Sequence, residues 1–198
     1  MKATILFAQP GENSFTHEML VRTKAALEQA GISYNVRDLY KMNFQPVLSP
    51  DDMERVENGS VSSDIGEEQE LLTDADLLVM IYPIWWWSQP AILKGYFDRV
   101  LTHGYAFRYE ENGPVGLMHG KQAIVFTCTR ESEAEMKKDG FDTLIKKQIV
   151  DGVLSFIGCD RVVHKNFAAV SEVTDQKRSE MLREVEETVA QFVTPVPV

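Results

Sequence analysis

All three tryptophans of the protein stand side by side, directly after the most apolar stretch of the chain. Asp76–Tyr82 (DLLVMIY) has the pattern of a buried strand, and the segment Pro83–Pro90 (PIWWWSQP) follows it. Neighbouring side chains diverge in any regular backbone conformation, so three adjacent indoles cannot all face a core. At least one is therefore expected at the surface, where a planar aromatic ligand can stack on it. Because tryptophan is also enriched at interfaces, a dimer contact is the alternative, and a ligand between two subunits satisfies both.

A second group of residues suited to ligand binding follows the first predicted strand, Ala3–Ala8. The segment Gln9–Thr16 begins with turn residues, and its Ser14 is an N-cap candidate for the helix that follows. Free N–H groups at a helix start, with hydroxyl side chains beside them, form an anion site suited to a cofactor phosphate. Rossmann and Walker A glycine motifs are absent, which favours a flavin phosphate over a dinucleotide or nucleoside triphosphate. The alternative is that Ser14 only caps the helix and Asn13 only forms the turn.

The rest of the chain supplies the elements that position these loops. Apolar runs and turn residues predict five strands, at Ala3–Ala8, Ser33–Leu39, Asp76–Tyr82, Gln122–Thr127 and Arg161–Val170. Helical periodicity predicts helices at Phe15–Ala30, Ile65–Leu72, Ala91–Thr102, Phe141–Ile157 and Glu172–Phe192. Tyr40–Gly66, with one helical turn at Asp51–Val56, and Gly104–Gly120 are interpreted as long loops.

Five strands that alternate with helices predict an α/β fold with a doubly wound parallel sheet. Residues 1–194 are expected to form a single domain, with 195–198 as a short tail. In such a sheet, ligands bind outside the carboxyl ends of the strands, at the topological switch point. The loops Gln9–Thr16, Pro83–Gln89 and Thr127–Glu135 are therefore expected to form the site.

Composition narrows the classes of partner. The 198 residues carry a net charge of −10, which disfavours nucleic acid and anionic membrane surfaces. The longest apolar run, Leu77–Trp87, is about half a membrane span, so no membrane insertion is expected. Cys128 and Cys159 form no C-x-x-C motif and indicate a reducing, cytoplasmic compartment. The four histidines lie too far apart for a local motif, so we expect no metal.

At this point a family resemblance is visible. Tyr82–Val100 (YPIWWWSQPAILKGYFDRV) resembles the signature segment of the NAD(P)H:quinone reductases related to DT-diaphorase, a family of flavodoxin-like flavoproteins. Other segments are similar to that family in the same order: Ala8–Pro10 with Asn13–Phe15, Asp38–Phe44, Asp64–Ile65, Glu68–Gln69, Ala75–Leu77 and Tyr105–Tyr109. The likeness is close over residues 3 to 130 and weakens afterwards.

The resemblance implies a flavodoxin-like five-stranded parallel sheet of order 2-1-3-4-5 with helices on both faces. It implies an NAD(P)H dehydrogenase (quinone)-type oxidoreductase with bound FAD, or FMN as the other possibility, and NAD(P)H as co-substrate. Hydride transfer to quinones or similar small planar electron acceptors would follow a ping-pong scheme. The family also implies a homodimer with active sites at the subunit interface.

The resemblance assigns site residues by position. The flavin would be held by Gln9, Asn13, Ser14, Phe15, Thr16, Gln69, Pro83, Ile84, Trp85, Trp86, Trp87, Thr127, Cys128, Thr129 and Arg130. Trp87, Phe107 and Tyr109 would face the nicotinamide or quinone, with the last two contributed by the partner subunit. Taken without the resemblance, Gln69 is typical of a solvated helix residue.

The third loop departs from the family pattern. Family members run Thr-Thr-Gly-Gly where this chain has Thr127–Glu131 (TCTRE), so side chains occupy space that glycines leave empty. Arg130 either places positive charge near the flavin N1–C2 region or pairs with Glu131, Glu133 or Glu135. The family's tyrosine and histidine, which assist proton movement, have no counterpart. Glu135 stands near the tyrosine position, and Phe141 or Asp142 near that of the histidine, so no catalytic acid or base is named.

Two other functions stay open at this stage. One is a one-electron carrier like the true flavodoxins, which the acidity of the chain favours and its long Tyr40–Gly66 loop disfavours. The other is a non-enzymatic regulatory or binding subunit of a larger assembly, supported by the altered third loop.

Overall fold

The computed structural model describes residues 1–194, and the predicted tail at 195–198 lies outside them. The strands are β1 (Lys2–Phe7), β2 (Ser33–Asp38), β3 (Leu77–Pro83), β4 (Phe107–Glu110), β5 (Gly113–Gly116), β6 (Gln122–Cys128) and β7 (Arg161–Phe167). The α-helices are α1 (Phe15–Gln29), α2 (Pro50–Glu57), α3 (Ser63–Asp74), α4 (Ala91–Val100), α5 (Glu133–Asp139), α6 (Phe141–Lys146) and α7 (Asp175–Val193). A π-helical segment, Lys147–Ser155, continues directly from α6.

Five strands form one parallel sheet in the order β2-β1-β3-β6-β7. Counted along this sheet alone, the order is 2-1-3-4-5, so the predicted fold class and strand order are confirmed. The connections reverse direction between β1 and β3, and this is the switch point beside which ligands bind in open parallel sheets. The central strand β3 is buried along its whole length, as its unbroken apolar run predicted.

Helices cover both faces of the sheet because side chains alternate along each strand. On one face, Leu78 and Met80 pack with residues of α3, α4 and the π-helical segment. On the other face, Val79 and Ile81 pack with residues of α1 and α7. None of the described helices is long and apolar enough to cross a membrane.

The predicted loops contain more structure than the sequence indicated. Within Tyr40–Gly66 the single predicted turn is the complete helix α2, whose N-terminus carries a capping box between Ser49 and Asp52. Within Gly104–Gly120 the antiparallel hairpin of β4 and β5 replaces the predicted loop. Helix α5 was not predicted, and the predicted strand to Val170 ends at Phe167. These elements are short, and local periodicity is weak over so few residues.

The hairpin is held close to the end of the π-helical segment. A Cβ added at Gly116 would lie 2.3 Å from the backbone of Gly158 and Ile157, so only glycine permits this approach. Just beyond the hairpin, the N–H of Met118 donates to the carbonyl of Ile157 at 2.8 Å. The hairpin is thereby fixed against the body of the protein.

A buried arginine fixes α2 to α4. Arg99 is only 8% exposed, and its Nε and Nη2 donate to the two carboxylate oxygens of Asp52, each at 3.1 Å. Its Nη1 donates to Asp64 at 3.0 Å and to the carbonyl of Gln45 at 2.9 Å. The arginine beside it, together with hydrogen bonds from Ser49, lowers the pKa of Asp52 to about 2. This bidentate contact explains why a short helix holds its place outside the sheet.

Candidate active site

Three loops meet at the carboxyl edge of the sheet, at the ends of the adjacent strands β1, β3 and β6. The N–H of Ala8 donates to Ile81 at 3.1 Å, and the N–H of Ile84 donates to Cys128 at 2.9 Å. The first and third loops also touch, because Thr16 Oγ1 lies 3.4 Å from Cys128 Sγ. The three segments that the sequence predicted as the site are therefore brought together.

The first loop presents free amide groups at the start of α1. Ser14 caps the helix with extended backbone angles, and its hydroxyl oxygen accepts from the N–H of His17 at 3.1 Å. Within the described residues, the N–H groups of Phe15 and Thr16 have no acceptor. Partial positive charge therefore remains at this helix start, as the anion-site prediction requires.

The hydroxyl groups of this loop each have a contact within the protein, and their role at a phosphate stays a prediction. The side chain of Thr16 is buried against Cys128, and that of Ser14 is the cap. The amide of Gln9 donates to the neighbouring carbonyl of Pro10 at 2.9 Å, while Asn13 is exposed. The loop therefore offers an anion its free backbone N–H groups, and the hydroxyl proton of Ser14 remains available as a further donor.

The second loop is a tight turn built from tryptophan. Trp85 and Ser88 exchange two backbone hydrogen bonds, at 2.9 and 3.0 Å. The two residues between them, Trp86 and Trp87, have φ angles of 52° and 58°, the left-handed pair that defines a type I′ turn. Bulky residues rarely adopt this region, which costs each of them about 1 kcal/mol or more.

This turn places one indole wholly in solvent. Trp86 is 98% exposed and Trp85 is 40% exposed, so the prediction of at least one surface indole is confirmed. A large apolar ring held at full exposure by a strained backbone is a surface suited to stacking on a planar ligand.

The third indole, that of Trp87, packs against Phe141. From the sequence, Phe141 was expected only to lie near the position of the family's histidine. Trp87 and Phe141 stack in parallel, with ring centroids 3.7 Å apart and an interplanar angle of 2°. Phe141 is the first residue of α6, directly after Gly140, whose φ of 76° ends α5 and turns the chain. The stack joins the second loop to the helices that follow the third loop, so Phe141 belongs to the site.

The third loop turns its threonine side chains inward, so the predicted contact of Thr127 and Thr129 with a cofactor stays a prediction for their backbone. Thr127 is 0% exposed and Thr129 is 3% exposed. Thr127 Oγ1 donates to Asn166 Oδ1 at 2.9 Å and lies 2.9 Å from His164 Nε2. Burial also raises the pKa of the Cys128 thiol. The exposed side chains at the start of this loop are those of Arg130 and Glu131.

Arg130 is exposed at the surface, where its Nε lies 3.8 Å from Glu172. The predicted pairing with Glu131, Glu133 or Glu135 is wrong: Glu135 instead closes a capping box with Ser132 at the start of α5. An exposed pair of this length contributes little energy, so the guanidinium group is not fixed by a strong ion pair.

His164 lies beneath the third loop. Burial, with a smaller contribution from the charge of Lys146, lowers its pKa to about 4. The ring is therefore neutral near pH 7. Because Thr127 gives its single proton to Asn166, the His164 Nε2 must carry the proton it shares with Thr127.

Gln69 lies apart from the three loops within one chain. Its amide donates to the carbonyl of Val100 at 2.9 Å and to Thr102 Oγ1 at 3.1 Å. Both acceptors are at the far end of α4, about 15 Å along that helix from the second loop. The structure therefore does not bring Gln69 to the flavin site of its own chain.

Phe107 and Tyr109 lie on the hairpin, in an aromatic group with His103 and Phe156. Tyr109 is 67% exposed. Phe107 lines two apolar clefts that flank α4, of about 460 and about 560 Å³. The second of these clefts extends to Ser88, next to the tryptophan turn. Phe107 and Tyr109 therefore lie outside the three loops, on the hairpin, whereas Trp87, the third predicted substrate residue, lies in the tryptophan turn.

Comparison with known proteins places this geometry in a family. A family model described as flavodoxin-like fold matches residues 1–189. The chain belongs to this family. It is 34% identical over 183 residues to a Haemophilus influenzae protein named as an uncharacterized NAD(P)H oxidoreductase, covering 92% of this chain and 91% of that protein.

Two further members bear names with a stated reaction. NAD(P)H dehydrogenase [quinone] 1 of Cavia porcellus is 32% identical over 177 residues, which cover 79% of this chain but 64% of that protein. The solved structure of the NAD(P)H:quinone oxidoreductase from Methanothermobacter marburgensis is similar with a TM-score of 0.89 and 31% identity. The superposition covers all of this chain and 99% of the other chain. The resemblance stated from the sequence is confirmed.

Among the described residues, no group of three or more histidine, cysteine, aspartate or glutamate side chains could hold a metal ion. Both cysteines are buried and free.

Proposed function

We propose that the chain is a flavin-dependent NAD(P)H oxidoreductase that reduces quinones or similar planar acceptors by two electrons in a ping-pong reaction. The observation that carries this proposal is that the fully exposed Trp86 and the free amides at the start of α1 both lie at the carboxyl edge of the sheet, at its switch point. The names of the Cavia porcellus and Methanothermobacter marburgensis proteins support the reaction class. The unit that carries the activity would be residues 1–194.

The residues present fit a flavin. The amides of Phe15 and Thr16 would hold a phosphate group without any lysine. Trp86 would lie against the isoalloxazine ring, and the backbone of the third loop would approach its pyrimidine edge. A bound flavin supplies the hydride chemistry, so the role of the chain is to bind it, orient the two substrates and exclude water. We prefer FAD over FMN, because the family resemblance of the Phe44–Gln69 segment implies FAD.

A homodimer would complete the site. Phe107 and Tyr109 would cover the acceptor from a second copy, as the family resemblance implies, since they lie on the hairpin outside the three loops. Apolar clefts on both sides of α4 supply a face for that contact. Gln69 would reach the flavin of the same neighbouring subunit, because its carbonyl accepts from Tyr105 at 2.6 Å, next to the hairpin. Two free buried cysteines fit a reducing, cytoplasmic location.

The test is to release and identify the cofactor of freshly purified protein and to follow NAD(P)H oxidation with a quinone. We expect one flavin per chain, rapid bleaching by NAD(P)H and reoxidation by the quinone. A stable neutral semiquinone on photoreduction, with no response to NAD(P)H, would favour the one-electron carrier. A colourless protein that fails to bind added FAD or FMN would favour a regulatory subunit.

Replacing Trp86 by glycine separates its binding role from its structural one. The exposed indole makes no packing contribution and its φ is positive, so the variant should be as stable as the wild type or more stable, by up to about 1 kcal/mol. Loss of a stacking contact worth about 1 kcal/mol should weaken flavin binding by five- to tenfold. Unfolding in urea and flavin titration measure the two effects.

Asn43→Gly is the matched control for this variant. Asn43 is also exposed with a φ of 52°, but it carries no aromatic ring. We expect unchanged flavin affinity in this variant. Equal flavin affinity in both variants would exclude Trp86 from the binding surface.

A further inference from the structure

The third loop follows β6, and a buried network of polar side chains on β6 and β7 connects it to the sheet. Thr127 Oγ1 donates to Asn166 Oδ1 at 2.9 Å and accepts from His164 Nε2, also at 2.9 Å. Asn166 and His164 are two residues apart on β7, so they face the same side of the sheet. Thr127 is completely buried, and a buried hydroxyl group that makes two hydrogen bonds strongly favours one side-chain position.

This network of side-chain hydrogen bonds continues from β7 into the third loop. The Nδ2 of Asn166 donates to Thr129 Oγ1 at 3.2 Å, and Thr129 Oγ1 donates to the carbonyl of Glu131 at 3.3 Å. One asparagine thus bridges the threonines on either side of Cys128. Backbone bonds support the same geometry, since the N–H of Thr129 donates to Phe167 at 2.9 Å.

This hydrogen-bond network surrounds Cys128, which contacts both of the other loops of the site. Between the bridged threonines, the carbonyl of Cys128 accepts from Ile84, the residue before the tryptophan turn. Its sulfur lies 3.4 Å from Thr16, at the start of α1. Any displacement of Cys128 would therefore move both of the other loops.

We infer that Thr127, Asn166 and Thr129 are positioning residues that hold the backbone of Cys128–Arg130 in the conformation that contacts the flavin. The loop lacks glycine, so side-chain hydrogen bonds select its conformation. The inference rests on the proposed function. None of the three side chains would touch the cofactor. Thr127 and Thr129 are buried, and the amide group of Asn166 is hydrogen-bonded to both of them.

The test compares Thr127→Val with Thr127→Ser. Valine keeps the shape and removes both hydrogen bonds, whereas serine keeps the hydroxyl group. For the valine variant we expect a flavin dissociation constant raised by roughly tenfold, the effect of one or two lost hydrogen bonds. We also expect a shifted flavin visible spectrum and midpoint potential, and faster amide hydrogen exchange at Cys128–Arg130 in the flavin-free protein. The serine variant should stay within about twofold of the wild type in affinity.

Thr23→Val is the matched control. Thr23 is also completely buried, on α1, and its hydroxyl has no hydrogen-bond partner among the described residues. We expect its flavin affinity, spectrum and loop exchange to match the wild type. All variants are measured at a temperature where circular dichroism shows them folded, so that global stability does not enter the dissociation constant.

Two results would overturn the inference. Wild-type flavin affinity, spectrum and exchange in Thr127→Val would show that the buried network does not position the loop. Equal losses in Thr127→Val and Thr127→Ser would assign the effect to packing. A wild-type protein that binds neither FAD nor FMN would instead overturn the proposed function, and this inference with it.

Discussion

Arg99→Ala is expected to lower the free energy of unfolding by about 3 to 5 kcal/mol, the range for breaking a buried ion pair by removing one partner. The arginine is only 8% exposed, and its main partner Asp52 is 12% exposed. Alanine would leave the Asp52 carboxylate without its bidentate donor and the carbonyl of Gln45 without its Nη1 donor. The effect should appear in urea unfolding, with faster amide exchange throughout α2.

Lys94→Ala is the control on the same helix. Lys94 forms an exposed pair with Asp98, at 2.5 Å, and pairs of this kind contribute about 0 to 1 kcal/mol. If Arg99→Ala costs no more than Lys94→Ala, the Arg99 cluster does not hold α2. Because α2 lines the cleft beside α4, loss of α2 should also weaken the proposed dimer.

Acid should destabilise the protein through His164 as the pH falls from about 6.5 toward about 4. Burial lowers the pKa of His164 to about 4, against an ordinary value of 6.5. Between these two values the unfolded chain binds a proton that the folded chain does not, so stability falls as the pH falls through this window. From pH 7.5 to pH 4.5 the expected loss due to this residue is about 2.5 kcal/mol.

His164→Gln isolates this contribution. Glutamine can still donate a hydrogen bond to Thr127 but does not titrate. The free energy of unfolding of the variant should therefore fall less than that of the wild type over the same pH range. Carboxylates titrate in both proteins and cancel in the difference. The stabilising contribution of Asp52, whose pKa is about 2, is lost only at lower pH. Urea unfolding at both pH values measures the loss of unfolding free energy in each protein. An equal loss in the wild type and the variant would contradict the expectation.

The fold was predictable because its signals are local. Continuous apolar runs such as Leu77–Tyr82 predict strands covered on both faces, and their alternation with helices allows few topologies. The place of the site followed from the same reasoning, since the carboxyl ends of neighbouring parallel strands share one edge. The exposed indole was likewise predictable, because three adjacent side chains cannot all point into a core.

The direction of individual side chains was not predictable. Thr127 and Thr129 read as loop residues open to a ligand, yet they point into the protein. Their orientation depends on Asn166, 37 residues after Thr129 and on a different strand. The stack of Trp87 on Phe141 likewise joins segments that are distant along the chain.

What the sequence by itself determined is the parallel sheet and the three loops at one edge, because these depend on patterns within short segments, whereas the strand order came from the family resemblance. Only the tertiary structure decided which groups those loops present: free amides at the start of α1, Trp86 as the one fully exposed indole of the three, and a third loop held by side chains of β7. It also decided that Arg99 is buried and that the hairpin carries Phe107. The physical reason is that each of these features is set by contacts between distant segments, whose energies do not appear in local composition or periodicity.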